Sequence, residues 1–144
     1  MENLKLDEVY FFLLERTVRQ FRKFSKEKLG ERGIEISSEQ WVILKRVSEQ
    51  EGVNQKEIAN LTYKDPASVT RMVDLMAKKG WIERHPVEGD RRAYGLHLTN
   101  EGKDFVKKMM PAAQELRSMG LEGISQKELE IFKKTLNKIY ENMF

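Results

Sequence analysis

The 144-residue chain contains no cysteine. Disulfides, thiolate metal ligands, iron–sulfur clusters and cysteine nucleophiles are therefore excluded together. Histidine is almost as scarce, because only His85 and His97 occur, which argues against a histidine-rich zinc site. The N-terminal segment has no signal-peptide core: its strongest apolar run, Val9 to Leu14, is six residues, whereas a membrane span needs about 20. We therefore predict a cytoplasmic protein without a metal, a cofactor or a membrane contact.

Neither sign of charge predominates strongly, and catalytic motifs are absent from the sequence. Lys and Arg number 26 against 23 Asp and Glu, which gives a formal net charge of +3. This mild excess permits an anionic partner without requiring one. The sequence has no glycine-rich phosphate-binding loop, no metal-ligand cluster and no nucleophile beside a base. These absences argue against an enzyme, while an apolar content of 40% allows one folded domain.

Apolar spacing and capping residues predict a mainly helical chain. Residues 9–29 form a long first helix, because apolar side chains recur at intervals of three and four, and Gly30 and Gly33 end it. Four later helices have a capping residue at their start: Ser37, Asn54, Asp65 and Ser125. Ser37 and Asn54 are followed three residues later by Gln and Glu, which predicts capping boxes. Asp65 directly precedes a proline, which suits the first helical position.

After Gly80 the pattern changes from helix to strand. Residues 81–85 and 94–98 alternate in the manner of two short strands. Residues 86–92 between them are too many for a two-residue turn, so we expect a hairpin with a projecting tip. A long helix follows from Asn100, with an expected kink near Pro111, and the last helix follows Ser125. The fold class is therefore mainly α with a small two- to three-stranded β wing: a winged helix-turn-helix flanked by N- and C-terminal helices.

The helix after Asp65 has polar first turns, which suits entry into the major groove of DNA. Ala67, Ser68, Thr70 and Arg71 occupy those turns. Arg71 can fork onto a guanine, and the hydroxyls can bond to bases or phosphates. An ordinary amphipathic helix with a solvated polar face would show the same pattern.

The hairpin tip contains Asp90, Arg91 and Arg92 in succession. An arginine at such a tip can enter the minor groove, where the negative potential is strongest if the groove is narrow. We expect Asp90 to pair with Arg92 across the tip and to hold its guanidinium extended. A solvated charged turn would have the same composition.

The stretch from Ser37 to Lys103 resembles the winged helix-turn-helix of the MarR family of bacterial regulators. The motifs that carry the resemblance are Ser68-Val69-Thr70-Arg71, Lys79-Gly80-Trp81-Ile82-Glu83-Arg84, Asp90-Arg91-Arg92 and Leu96-His97-Leu98-Thr99-Asn100-Glu101-Gly102. The resemblance implies a recognition helix in the major groove, with Arg92 in the minor groove and Asp90 orienting it. It also implies that Asn54 and Gln55 approach the phosphate backbone.

The resemblance further implies a homodimer with intertwined terminal helices. Residues 1–35 would be an N-terminal dimerisation helix, 36–100 the DNA-binding lobe and 101–144 the C-terminal dimerisation helices, all in one intertwined unit. The terminal segments are also more apolar than one winged helix needs; their large apolar residues are Phe11, Phe12, Phe132, Ile139, Tyr140, Met143 and Phe144. Two-fold symmetry predicts a pseudo-palindromic operator with half-sites roughly 10 bp apart.

MarR regulators commonly sense small aromatic or phenolic compounds between the dimerisation helices and the DNA-binding lobe. The residues that this resemblance places along such a crevice are Tyr10, Leu14, Trp41, Met109 and Met110. An alternative is that these are ordinary core residues. The sequence thus predicts a DNA-binding transcriptional regulator, a repressor relieved by a small aromatic ligand. The competing hypothesis is a winged-helix module that binds another protein and not DNA.

Overall fold

The computed structural model describes residues 3–144. Over this range the chain forms six α-helices and one three-stranded antiparallel sheet, after a short 3-10 turn at Leu6–Glu8. The helices are α1 Tyr10–Glu31, α2 Ser38–Glu49, α3 Gln55–Leu61, α4 Pro66–Lys78, α5 Asn100–Gly120 and α6 Gln126–Glu141. The strands are β1 Val53–Asn54, β2 Ile82–Val87 and β3 Asp90–Leu98, with β3 in the centre. The mainly α fold with a small β wing is confirmed.

The four helices predicted to follow a capping residue begin directly after it, and the side chain of each capping residue accepts a hydrogen bond from its helix. The Ser37 hydroxyl accepts a hydrogen bond from the Gln40 backbone amide, and the Ser37 backbone amide donates to the Gln40 side chain. These two bonds confirm the capping box. Ser125 and Glu128 form the same box at α6. The box predicted at Asn54 was wrong. Asn54 caps α3 through the Lys56 amide alone, and its backbone belongs to β1, opposite Gly95 of β3.

The end of α1 lies two residues beyond its predicted position. The helix passes through Gly30 and ends at Glu31, and Gly33 is the residue with a positive φ of 70°. The Ile34 amide bonds to the Leu29 carbonyl at 2.9 Å, and the Gly33 amide bonds to that of Gly30 at 3.0 Å. This pair of bonds is a Schellman motif, in which the glycine stands one residue after the C-cap. Gly80, with a φ of 77°, ends α4 in the same way, as predicted.

The core lies inside the winged lobe, by which we mean residues 36–100. Its fully buried side chains come from α2, α3, α4 and β3: Ile43, Leu44, Val47, Ile58, Val69, Val73, Met76 and Leu96. Met109, Ala112, Ala113 and Leu116 of α5 extend this core toward Leu29 of α1. Helix α5 continues past Pro111 to Gly120 as one helix. Its buried side chains pack in the same core cluster as Leu29 at the end of α1.

The turn into α5 explains the spacing of Thr99 and Gly102 in the sequence. The Thr99 hydroxyl accepts the Gly102 amide at 2.9 Å and donates to the Gly80 carbonyl. A Cβ at position 102 would lie 2.1 Å from the Trp81 carbonyl oxygen, so only glycine fits there. This contact fixes the start of α5 against the root of β2.

The terminal helices present a contrasting surface. No residue of α6 is buried, and α1 buries only Ser25 and Leu29. Their exposed apolar side chains are Tyr10, Phe11, Val18, Phe21, Ile131, Phe132 and Tyr140, followed by Met143 and Phe144. Among residues 3–144, no helix is both long and apolar enough to cross a bilayer.

Candidate nucleic-acid interface

The start of α4 is held by Asp65. One carboxylate oxygen accepts the Ser68 amide at 2.9 Å and the other accepts the Ser68 hydroxyl. The hydroxyl bond first and the amide bond second hold the pKa of the Asp65 carboxyl below its usual value. Pro66 occupies the first helical position, as predicted. The first turn of α4 is therefore held by two side-chain hydrogen bonds and carries an ionised cap near neutral pH.

Arg71 is linked to this cap through Ser68. Its guanidinium donates to the Ser68 hydroxyl oxygen at 3.1 Å, so Ser68 donates to Asp65 and accepts from Arg71. Arg71 and Ala67 are exposed, and Ser68 is half-buried. The predicted base-reading residues thus lie in the first two turns of α4, with Arg71 lying back along the helix toward its N-terminus.

A second set of bonds joins α3, α4 and β2. The Gln55 amide nitrogen donates to the Thr70 hydroxyl at 3.3 Å, and the Gln55 amide oxygen accepts from Arg84 Nε at 2.8 Å. The Thr70 hydroxyl in turn donates to the Pro66 carbonyl at 3.0 Å. The Arg84 guanidinium also forms an ion pair with Asp74 of α4. Gln55 and Thr70 are therefore engaged within the protein, which the sequence did not indicate.

Sequence reasoning missed Arg84 as a site residue. On β2, Ile82 faces the core, and Arg84, two residues on, points to the same face. An arginine at an inward strand position needs partners, and that signal was available in the alternation. Asn54 is half-buried and its side-chain oxygen caps α3, which leaves its amide NH₂ group as the donor.

The wing is a longer ribbon than predicted. Val87 pairs with Asp90, so only Glu88 and Gly89 form the turn, with Gly89 at a φ of 82°. The predicted loop over residues 86–92 was therefore wrong. The register shift between Pro86 and Val87 accommodates the proline, which cannot donate to a regular ladder.

The predicted pairing of Asp90 with the Arg92 guanidinium does not form. Asp90 Oδ1 instead accepts the Arg92 backbone amide at 3.0 Å, a local turn typical of aspartate. Arg91 and Arg92 are exposed, and no ion pair within residues 3–144 involves either guanidinium. Because successive residues of a strand face opposite sides, Arg91 and Arg92 point to opposite sides of β3. Asp90 therefore shapes the backbone at the tip and leaves both arginine side chains extended toward solvent.

The structure divides four of the five predicted effector residues between two clefts. Trp41 and Met109 line a cavity of about 140 Å³ between α1, α2 and α5. Tyr10 and Leu14 line an open cleft of about 490 Å³ between α1 and α6. Met110 lines neither of these two, and 38% of it is exposed.

The smaller cavity contains a polar group that sequence reasoning did not single out. Ser25 of α1 is buried, and its hydroxyl has no hydrogen-bond partner. Ser25 lines the same cavity as Trp41, and Arg117 of α5 lines it as well. An unpartnered buried hydroxyl is costly, so this wall favours an occupant with a polar atom.

Among residues 3–144 there is no cluster of three His, Cys, Asp or Glu side chains able to hold a metal ion. His85 and His97 stack in the wing with ring centroids 4.2 Å apart, and His85 Nε2 lies 3.1 Å from a Glu83 carboxylate oxygen.

The family model named MarR matches residues 36–94, from the start of α2 to the wing. This is the stretch that contains the capped recognition helix and the arginine ribbon. Residues 36–94 of this chain, and with them most of the winged lobe, are thus similar to the MarR family. A MarR-family protein is a DNA-binding transcriptional regulator, and no enzyme family is indicated.

One relative resembles this chain in sequence, and two solved structures share its fold. The HTH-type transcriptional regulator PecS of Dickeya dadantii is 26% identical over 120 residues, which cover 83% of this chain and 70% of PecS. The MepR–DNA complex from S. aureus superimposes with a TM-score of 0.83 at 22% identity, over 93% of this chain and 98% of MepR. BpsR of Bordetella bronchiseptica, whose DNA binding is regulated by 6-hydroxynicotinic acid, gives a TM-score of 0.88 at 19% identity, over 96% and 98% of the two chains.

Proposed function

We propose that this protein is a MarR-family regulator, a homodimeric repressor that binds a pseudo-palindromic operator and releases it when a small aromatic ligand binds. The observation that carries the DNA-binding part is the pairing of two exposed features on one lobe. Arg71 lies in the first turns of the capped helix α4, and Arg91 and Arg92 extend from the adjacent ribbon. A helix of this kind fits a major groove, and an arginine ribbon fits the neighbouring minor groove.

In this complex, Arg71 forks onto a guanine edge, and Ala67, Ser68 and Thr70 contact nearby bases or phosphates. Arg92 enters the minor groove and Arg91, on the other side of the strand, faces the phosphate backbone. The Asn54 amide donates to a phosphate at the start of α3. Gln55 acts from inside the lobe, through Thr70 and Arg84, rather than as a direct phosphate ligand.

The surface of α1 and α6 supports the proposed dimer. Apolar side chains of both helices line the cleft of about 490 Å³, and α6 buries none of its residues in a single chain. Contiguous apolar surface of this kind marks an association site. Matching helices from a second copy would fill the cleft and bring two winged lobes into two-fold symmetry. Residues 1–35 and 101–144 then act as dimerisation segments around the lobe 36–100.

Ligand response is assigned to the cavity of about 140 Å³ lined by Trp41 and Met109. An apolar cavity of about 150 Å³ holds a benzene ring, so one aromatic ring matches this volume. The Ser25 hydroxyl and Arg117 supply polar contacts for a substituted ring, in keeping with the heteroaromatic acid that regulates BpsR. The cavity lies between α1 and the lobe, so an occupant can change the spacing of the two recognition helices and weaken operator binding.

Selection of bound sequences from random duplex DNA tests the proposal. We expect a pseudo-palindrome with half-sites about 10 bp apart, bound with a Kd below about micromolar at physiological salt. Titration of the complex with small aromatic acids should release the DNA. Repression is checked with a reporter placed behind the selected site, where expression should fall when the protein is present. Binding without sequence preference, together with capture of a partner protein, would support the protein-binding alternative instead.

A further inference from the structure

Arg84 stands at the root of the wing. It is the last half-buried residue of β2, and the strand is exposed from His85 onward. Its side chain is 27% exposed, Nε bonds to Gln55 and Nη2 bonds to Asp74. The two donors of one planar guanidinium therefore connect β2 to α3 and to α4 at the same time.

The network continues from Gln55 into the recognition helix. Gln55 donates to Thr70, and Thr70 donates to the Pro66 carbonyl in the first turn of α4. Asp74 lies one turn further along α4. Arg84 is thus tied to α4 at two points, directly through Asp74 and indirectly through Gln55 and Thr70.

We propose that Arg84 is a positioning residue, which fixes the angle between the wing and the recognition helix and does not itself bind a phosphate. This inference rests on the proposed DNA-binding function. The ion pair with Asp74 offsets the charge of Arg84, so the pair attracts little anionic charge. The tip of β2 is three residues beyond Arg84, or about 10 Å along the strand. A tilt of about 10° at the root would move the tip by about 2 Å, which is enough to displace an arginine from its groove.

The two possible roles of Arg84 predict opposite effects for Asp74→Asn. If Arg84 bound a phosphate, loss of the nearby acid would release its guanidinium, lower the repulsion of DNA and tighten binding. If Arg84 is a positioning residue, loss of the acid frees one end of it and weakens operator binding. Glu83→Gln is the matched control, because it removes one acid from the neighbouring position of β2, where the Glu83 carboxylate pairs with the exposed His85 and, among residues 3–144, with no arginine or lysine.

The experiment measures Kd for the selected operator and for an unrelated duplex, by fluorescence anisotropy at several salt concentrations. We expect Asp74→Asn and Arg84→Lys each to weaken operator binding about tenfold, because a charged hydrogen bond is lost. The double variant should be no weaker than either single variant, since both break the same contact. Binding to the unrelated duplex and the salt slope should stay at the wild-type values, and Glu83→Gln should bind as tightly as the wild type or tighter.

Tighter operator binding by Asp74→Asn, or wild-type affinity of Arg84→Lys, would overturn the inference. Arg84→Gln removes the charge, and a salt slope reduced by about one in that variant would also overturn the inference, because that change marks a lost phosphate contact. Retained binding to the unrelated duplex shows that each variant is folded; if Asp74→Asn does not fold, Arg84→Lys decides. If the wild type itself selects no sequence, the proposed function fails; if it does and Asp74→Asn tightens binding, only the role of Arg84 fails.

Discussion

The winged lobe buries its apolar side chains, whereas the terminal helices α1 and α6 leave most of theirs exposed. In the lobe, α2, α3 and α4 bury their apolar stripes against β3, and side chains such as Ile58 and Leu96 are fully inaccessible. In α6 no side chain is buried, although the helix has a well-formed capping box and a clear apolar face. A cap and a stripe define a helix in both regions, but only the lobe completes its core within one chain.

The difference shows which property each region owes to the single chain. The lobe has its own core and its own positioned arginines, so the proposed DNA contacts all lie within one chain. The apolar faces of α1 and α6 are exposed in a single chain, and in the proposed dimer they would set the spacing of the two lobes. Variants that separate these two kinds of burial test the comparison directly.

The largest expected effect comes from the lobe core. Ile58→Ala removes a fully buried side chain and should lower the free energy of unfolding by about 3 kcal/mol. Ile131→Ala on α6 makes the same chemical change where the side chain is 57% exposed. It should instead make stability more dependent on protein concentration. Urea unfolding at two protein concentrations separates the cases, and equal losses for both variants at both concentrations would contradict the comparison.

The next largest effect is expected in the α1–α6 cleft. Phe132→Glu places a charge among apolar side chains of the cleft and should weaken self-association about a hundredfold, because the charge would be desolvated in the dimer. Lys133→Glu changes the neighbouring residue, which is exposed on the polar side of α6, and should alter association little. Sedimentation equilibrium measures both, and a Phe132→Glu protein that stays dimeric would place the interface elsewhere.

Removal of a wing arginine should have a smaller effect. Arg92→Ala is expected to weaken operator binding about tenfold, across many sequences, and to reduce the salt slope by about one. Arg19→Ala removes an exposed arginine from α1 and should leave both quantities nearly unchanged.

Arg71→Ala should instead relax the preferred sequence in a repeated selection. An unchanged preference would remove Arg71 from the base-reading residues.

The smallest effect concerns two ionised carboxylates at helix starts, the cap Asp65 of α4 and the capping-box residue Glu128 of α6. Hydrogen bonds from Ser68 lower the pKa of Asp65, and bonds from Ser125 lower that of Glu128. A carboxyl whose pKa is lowered in the folded chain stabilises the fold at any pH above its pKa in the unfolded chain. This contribution is lost as the pH falls through the lowered pKa of the folded chain. Asp65→Asn and Glu128→Gln keep a capping acceptor without the charge. They should therefore lose less thermal stability than the wild type between pH 6 and pH 3, and an equal acid loss would contradict these roles.

Local features of this chain could be predicted from sequence, whereas contacts between distant residues could not. The caps at Ser37, Asp65 and Ser125 depend on residues three positions away, and the structure has all three. The paired tip of the wing and the bond from Asp90 to the Arg92 amide depend on register and backbone direction. The bond of Arg84 to Gln55 spans 29 residues of sequence and exists only once α3 and β2 are packed together. The division of the predicted effector residues between two clefts has the same origin, because it depends on where α6 lies.

The most direct test of the account is the dependence of operator binding on the distance between half-sites. Two lobes held by α1 and α6 in a two-fold dimer should read half-sites on one face of the duplex. Insertion of 5 bp between the half-sites rotates one of them by about half a helical turn, and we predict a loss of affinity of at least a hundredfold. Wild-type affinity for the 5-bp insertion would contradict the account, because it would mean that the two lobes bind DNA independently.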